Sequence, residues 1–292
     1  MSNESIAVAD EKTFSVENVS SSGSVRKERK SWKISIPSLR IKSKDWIGFI
    51  LPVAILIAWE LITRWHLVKP LFLPRPYGVI TSFWEMLWEE NLFNDFKVSA
   101  QSVVPGFLVG SVIGILTGIV MGLSKTAERV LGPTLNSLRQ VPTLAWLPLI
   151  ILWVGAGSFA KTVIIGKAVF FPVFLNTLQG IRGVSKEYVE VARIFGYSKV
   201  RLLRRVIIPA AMPSIFVGIR YGAGLAWAIL IFAEMLGGHY GLGYLLTRSQ
   251  ELLLTSQLFV VIGIIGLVGY SVDIGLRRIE TQVLRWRRGF EG

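Results

Sequence analysis

Six stretches of this chain run for the length of a bilayer-spanning helix with no more than two charges in any of them: about 46–63, 99–123, 140–157, 160–178, 213–236 and 257–276. A spanning helix needs about 20 apolar residues, whereas a barrel strand needs about ten. In lipid every backbone N–H and C=O must find a partner within the protein, so runs of this length have one solution, the helix. The expectation is an all-α, polytopic membrane protein with about six transmembrane helices. Composition agrees: 52% of the residues are hydrophobic and only 17% are charged, against about 25% charged in soluble domains.

The net charge of +13 invites a nucleic-acid reading, but its distribution argues for a membrane. Nine Lys/Arg lie in 1–45, three in 124–139, seven in 179–212 and five in 277–288; the alternate loops hold four in 64–97 and one in 237–256. Positive charge stays on the cytoplasmic side. Both termini are therefore expected inside, with no nucleic-acid partner and the lipid bilayer as the surroundings. Having no cysteine, the chain has no disulfide, thiolate metal site or Cys nucleophile.

Residues 1–45 are polar and Ser-rich, without the apolar run of a cleavable signal peptide. They read as a disordered basic tail. Its cations Arg26, Lys27, Arg29, Lys30 and Lys33 are either simply solvated or held near anionic headgroups. After the first span, Pro70, Pro74 and Pro76 keep the chain extended. From Tyr77 onward Ile80, Phe83, Trp84, Leu87 and Trp88 recur at helical spacing, with Glu85, Glu89 and Glu90 opposite. This reads as an amphipathic helix at the outer interface, either an anchor or part of a docking surface.

Inside the spans, Gly106, Gly110, Gly114, Gly118 and Gly122 recur every four residues on one helix face. Such a ladder lets another backbone approach closely, within the protomer or across a dimer. Gly263, Gly266 and Gly269 form a weaker ladder of the same kind. The third span holds Pro142 and Pro148, which free carbonyls at membrane depth and make it either a kinked structural helix or the lining of a moving, water-filled region. The segment Gly155 to Thr162 nearly matches the phosphate-cradling G-x-x-x-x-G-K-[ST]. Ala160 replaces its second Gly, however, and the segment joins two membrane spans instead of a strand and a helix. No zinc-binding, nucleophile-elbow or EF-hand pattern occurs, so the chain reads as no enzyme, with no catalytic residue and no metal site.

Lys167 and Arg220 place charge within apolar spans, which marks them as functional candidates. Two cations suit the path of an anionic substrate, and Asn176 is a third candidate for that path. The alternatives are that Arg220 snorkels or pairs and that Lys167 points into a polar crevice without touching substrate.

The basic segment 185–213 parses into a compact cytoplasmic knob. Val184, Tyr188, Val191, Ala192 and Phe195 form one apolar stripe, with Lys186, Glu187, Glu190 and Arg193 facing away. Gly196 breaks that helix, and Ser198 reads as the N-cap of the next. In the second helix Val200, Leu203 and Ile207 form a stripe opposed by Lys199, Arg201, Arg204 and Arg205. Pro209 and Pro213 then mark a turn into the fifth span.

Here the chain resembles the permeases of ABC importers. Glu190-Val191-Ala192, Gly196 three residues on, and Val206-Ile207-Ile208-Pro209 nine residues further are similar to the loop E-A-A-x3-G-x9-I-x-L-P of that family. Val191, Val206 and Ile208 are apolar departures from it, whereas Glu190, Ala192, Gly196 and Pro209 match outright. The segments LRQVPTLAWLPLIILWVG, FFPVFLNTLQGIRGV and GIRYGAGLAWAILIFAEMLGG resemble the nitrate/sulfonate/taurine branch, and aliphatic-sulfonate permeases in particular. The resemblance implies a type I transmembrane domain in which Glu190, Ala192, Gly196, Ile208 and Pro209 couple to a cytoplasmic ATPase. It also implies a second permease copy, two ATPase subunits that hold the ATP and Mg, and an extracytoplasmic solute-binding protein. Lys167 stands where members of the branch usually carry an apolar residue. The branch also includes carriers of nitrate, bicarbonate and pyrimidine precursors, so the solute stays open. A self-sufficient channel or ion-coupled transporter would usually show intramembrane acids or inverted repeats. No convincing repeat is present, and Glu60 and Glu234 sit near span ends.

Overall fold

The computed structural model describes residues 47–89 and 92–285. The basic tail 1–45 with its cation cluster, and Glu90, lie outside the described residues. The chain divides into a first unit, Met1–Phe49, and a second, Ile50–Gly292, which carries nearly everything described here. No strand occurs among the described residues. The helices are α1 (Ile47–Arg64), α2 (Pro76–Trp88), α3 (Leu92–Leu123), α4 (Lys125–Gln140), α5 (Leu147–Val154), α6 (Ser158–Arg182), α7 (Lys186–Ile194), α8 (Lys199–Leu202), α9 (Ile208–Gly237), α10 (Leu242–Glu251) and α11 (Thr255–Val283).

Four helical runs among the described residues are long and apolar enough to cross a bilayer: α3, α6, the continuous run Lys199–Gly237, and α11. A bent pair made of α4 and the segment Thr143–Val154 is a fifth. α1 overlies the first expected span.

The core is a three-helix seam of α3, α6 and α9. All five glycines of the α3 ladder face α6. A methyl group added at Gly106 would lie 2.7 Å from Ile165 Cβ, at Gly114 2.9 Å from the Phe170 carbonyl oxygen, at Gly118 2.6 Å from Thr177 Cβ, and at Gly122 2.6 Å from Ile181 Cγ2. At Gly110 it would overlap the backbone of Gly166. The close approach is thus made within the protomer. A second glycine seam, with no regular spacing to announce it, joins α6 to α9: Gly180 meets Ala211 and Ser214, and Gly218 meets Pro172 and Asn176. The α11 glycines differ, because added methyls at Gly263 and Gly266 would meet nothing within 4 Å, and at Gly269 only an ordinary contact with Trp227.

These contacts fix the directions. Residue numbers rise together along α3 and α6, which therefore run parallel, whereas α9 runs antiparallel to both. The chain between α3 and α6 must accordingly return along the bundle. The apolar run 140–157 assigns that return to one span, and the structure differs. Only Leu147–Val154 is α-helical there, eight residues or about 12 Å of rise, against about 30 Å of hydrocarbon. The return is instead bent by 90° between α4 and the segment that starts at Thr143. Pro142 is the cause: it forces Val141 into extended backbone (φ −77°, ψ 118°), which ends α4.

α2 divides its apolar residues between the core and the surface. Ser82 and Met86 are buried, with Val79 and Phe83 half-buried beside them, whereas Ile80, Trp84 and Trp88 are exposed. α2 packs on α11 and α3, so half of its apolar stripe is left facing outward.

Candidate functional site

The knob begins at Ser185, whose hydroxyl accepts from Glu187 N and caps α7. The end of α7 is set by glycine. Gly196 has φ +71°, its N–H donates to Arg193 O at 2.9 Å, and Tyr197 N donates to Ala192 O at 3.0 Å. This pair of bonds is the Schellman stop, which requires a left-handed residue. A Cβ at Gly196 would meet nothing within 4 Å, so it is the left-handed backbone conformation, and not small size, that favours glycine here. Ser198 then caps α8 by accepting from Arg201 N.

After α8 the helix continues without a turn. Residues Leu203–Ile207 form a single π-turn that leads straight into α9. Pro209 and Pro213 therefore lie within a continuous helix, which corrects the turn expected there. Pro209 stands just after the π-turn, and a proline inside a helix, which lacks an N–H and crowds the carbonyl of the preceding turn, accompanies such a break in the regular ladder. The π-turn adds a residue to the local register, so the second stripe is displaced. Leu202 and Ile207 are buried and Leu203 and Val206 half-buried, whereas Val200 is 62% exposed.

The coupling candidates divide by position. Ala192 is buried in a cluster with Leu202, Ile207, Ile181, Ala211 and Ile215, which fastens the knob to the ends of α6 and α9. Ile208 and Pro209 stand at that junction, half-buried. Glu190 is exposed, as are Tyr188, Val191, Ile194 and Phe195. Val184 is half-buried against the same cluster, and the rest of the first apolar stripe, Tyr188, Val191 and Phe195, is left uncovered beside a charged rim.

The three path candidates are not brought together. Lys167 and Asn176 are nine residues apart on α6, which places them on opposite faces. Asn176 faces α9 at Gly218, and its amide donates to Pro172 O at 2.8 Å. Arg220 is paired: its guanidinium lies 2.9 Å from Glu280 and 3.3 Å from Asp273, both on α11, and Asp273 also binds Arg277 at 2.8 Å. An open groove of about 370 Å³ runs past Arg220, Tyr221 and Asp273. Lys167 has weaker company. Its Nζ donates to Thr143 Oγ1 at 3.4 Å and stands 5.4 Å from the Trp146 ring centroid and 5.5 Å from that of Phe171.

A buried polar latch closes the opposite end of the bundle. Glu234 near the end of α9 is fully buried. It accepts from Lys161 Nζ at 3.4 Å, from Ser99 Oγ at 2.7 Å and from Gly243 N at 3.1 Å. Asp95 accepts from Gly241 N at 2.7 Å, and Ser99 Oγ accepts from Leu242 N at 2.9 Å. These bonds satisfy N–H groups at the start of α10, which otherwise have no helical partner. A Cβ at Gly241 would lie 2.5 Å from the Glu234 carboxylate, so only glycine fits beside it. Lys161 is the lysine of the rejected phosphate-loop look-alike, and its side chain serves this latch. Neither Lys161 nor Glu234 stands out in the sequence as one of a pair: they are 73 residues apart, each near the end of its own span.

The family model of binding-protein-dependent transport system inner membrane components matches residues 110–285. The putative aliphatic sulfonates transport permease protein SsuC of Bacillus subtilis (strain 168) is 37% identical over 252 residues, covering 86% of this chain and 91% of that one. The taurine transport system permease protein TauC of Escherichia coli (strain K12) is 31% identical over 237 residues, covering 80% and 86%. Among solved structures, an inward-facing form of the MetNI methionine ABC transporter superposes with a TM-score of 0.55 at 18% identity, covering 74% of this chain and 99% of that one, a likeness of fold. The chain belongs to the family of binding-protein-dependent transport inner-membrane components, in its nitrate/sulfonate/taurine branch.

Proposed function

We propose that this chain is the membrane-spanning permease subunit of an ATP-driven importer for a small anionic solute of the aliphatic-sulfonate or taurine type. An extracytoplasmic binding protein delivers the solute, two copies of the chain form the passage, and two separate cytoplasmic ATPase subunits bind ATP and Mg and supply the energy. The multi-pass chain sits in the bacterial inner membrane with both termini cytoplasmic.

The observation that carries this reading is the construction of the knob. An exposed apolar stripe with the Glu190 carboxylate beside it is the surface of a helix that lacks a partner. Its buried side, through Ala192, Leu202 and Ile207, is fused to α6 and α9. A soluble subunit that grips α7 and moves it therefore moves two of the three core helices. Nucleotide shifts the permease between states only by favouring one of them, and the rigid junction at Ile208 and Pro209 transmits that preference.

The test is co-expression with the ATPase and binding-protein subunits of an aliphatic-sulfonate importer, followed by purification and reconstitution into liposomes. ATP-dependent uptake of ethanesulfonate or taurine is expected. Loss of ATPase co-purification is expected for Glu190→Arg, with membrane insertion intact. Full ATPase association and uptake in Glu190→Arg would contradict the coupling role.

A further inference from the structure

Two features that a lipid-facing surface does not tolerate meet at one height of the bundle. One is the break between α4 and α5, where Val141 and Pro142 leave helical geometry. Irregular backbone at membrane depth survives only where protein or water covers it. The other is the Lys167 ammonium, nine residues into α6. It touches the break directly, through Thr143 Oγ1 and the Trp146 ring.

The immediate surroundings of Lys167 are rich in donors and poor in acceptors. No carboxylate among the described residues forms an ion pair with it. Its one hydrogen bond, at 3.4 Å, is long for a charged donor. The Trp146 indole N–H is buried without an acceptor. Two aromatic faces and one hydroxyl hold the ammonium without neutralising it. The other cations of the core are paired: Lys161 with Glu234, Arg220 with Glu280 and Asp273. Lys167 alone among these three lacks a fixed counter-ion.

We propose that Lys167, Thr143 and Trp146 form a water-accessible station that holds the transported anion at mid-membrane, and that the aromatic faces of Trp146 and Phe171 seat the ammonium when the anion is absent. A sulfonate or another compact oxyanion supplies the acceptors that Lys167 lacks. This assignment rests on the importer reading and adds to it the residue that selects for negative charge.

Because the chain has no cysteine, Lys167→Cys places a single thiol at the station. In the reconstituted complex of permease, ATPase and binding protein, that thiol is expected to react with aminoethyl methanethiosulfonate added from water. Ethanesulfonate uptake is expected to fall about tenfold or more in Lys167→Cys, the loss of one charge-assisted contact. Uptake should return with the aminoethyl adduct and stay low with the neutral methyl adduct, while ATP hydrolysis stimulated by the binding protein persists throughout. A thiol that never reacts in any nucleotide state, or a methyl adduct that transports as well as the aminoethyl one, would overturn the proposal. The two readings fail separately. A wild-type complex that takes up no ethanesulfonate, taurine or nitrate sinks the importer reading, whereas a wild-type complex that transports while the thiol at 167 never reacts sinks the station alone.

Discussion

Lys161 Nζ lies 3.4 Å from Glu234 Oε1, and the side chain of that glutamate is fully buried where α9 ends. A pair so placed adds little net stability, because both charges lose their hydration, but breaking it leaves one of them uncompensated. The bonds from Ser99 and Gly243 to the same carboxylate make Glu234 the point where α3, α6, α9 and α10 meet.

Glu234→Ala should therefore be strongly destabilising, by about 3–5 kcal/mol, and should lower the unfolding temperature of the purified permease in detergent. Lys161→Met combined with Glu234→Gln should be milder than the sum of the two single changes, since residues in one network couple. Strict additivity in a double-mutant cycle would show that the two side chains do not interact.

At the glycine seam, Gly110→Ala should cost about 1–3 kcal/mol, because the added methyl would overlap the unyielding Gly166 backbone and crowd Val169 Cβ at 2.9 Å. Gly263→Ala has open space around it and should leave the purified protomer unchanged or slightly more stable. Thermal unfolding of the two variants side by side checks the contrast.

Arg220 is one-third exposed and shares two acids on α11. Its loss should cost no more than about 1 kcal/mol, since solvent screens such pairs. Exchanging charges in Arg220→Glu with Glu280→Arg should recover part of whatever Arg220→Glu alone loses. A drop in solute uptake in Arg220→Met with no change in thermal stability would instead make Arg220 part of the path.

What the sequence disclosed follows from the range of each interaction. Long apolar runs are legible because lipid allows them one backbone solution, and α3, α6, α9 and α11 follow from them. The ladder from Gly106 to Gly122 is visible as a period of four, but its partner is not, because α6 answers with Gly166 and with whichever carbonyls pass by. Pro142 announces a disturbance without saying that the helix stops there. The π-turn over Leu203–Ile207 has no local signature, so the inward face of α8 is displaced from its simple helical stripe. Glu234 looks like an ordinary charge at the end of a span, and only tertiary structure brings Lys161 to it across 73 residues.

If the knob on α7 and α8 transmits ATPase motion to α6 and α9, the conformation of Gly196 should decide whether it does so. Its φ of +71° suits glycine or asparagine and excludes a β-branched residue, while the space around it is open. The measurement is ATP hydrolysis stimulated by the binding protein, in liposomes holding the complete complex, for Gly196→Asn and Gly196→Val. Hydrolysis retained with asparagine and lost with valine is the expected result. Equal hydrolysis in both variants and the wild type would show that the knob does not transmit ATPase motion.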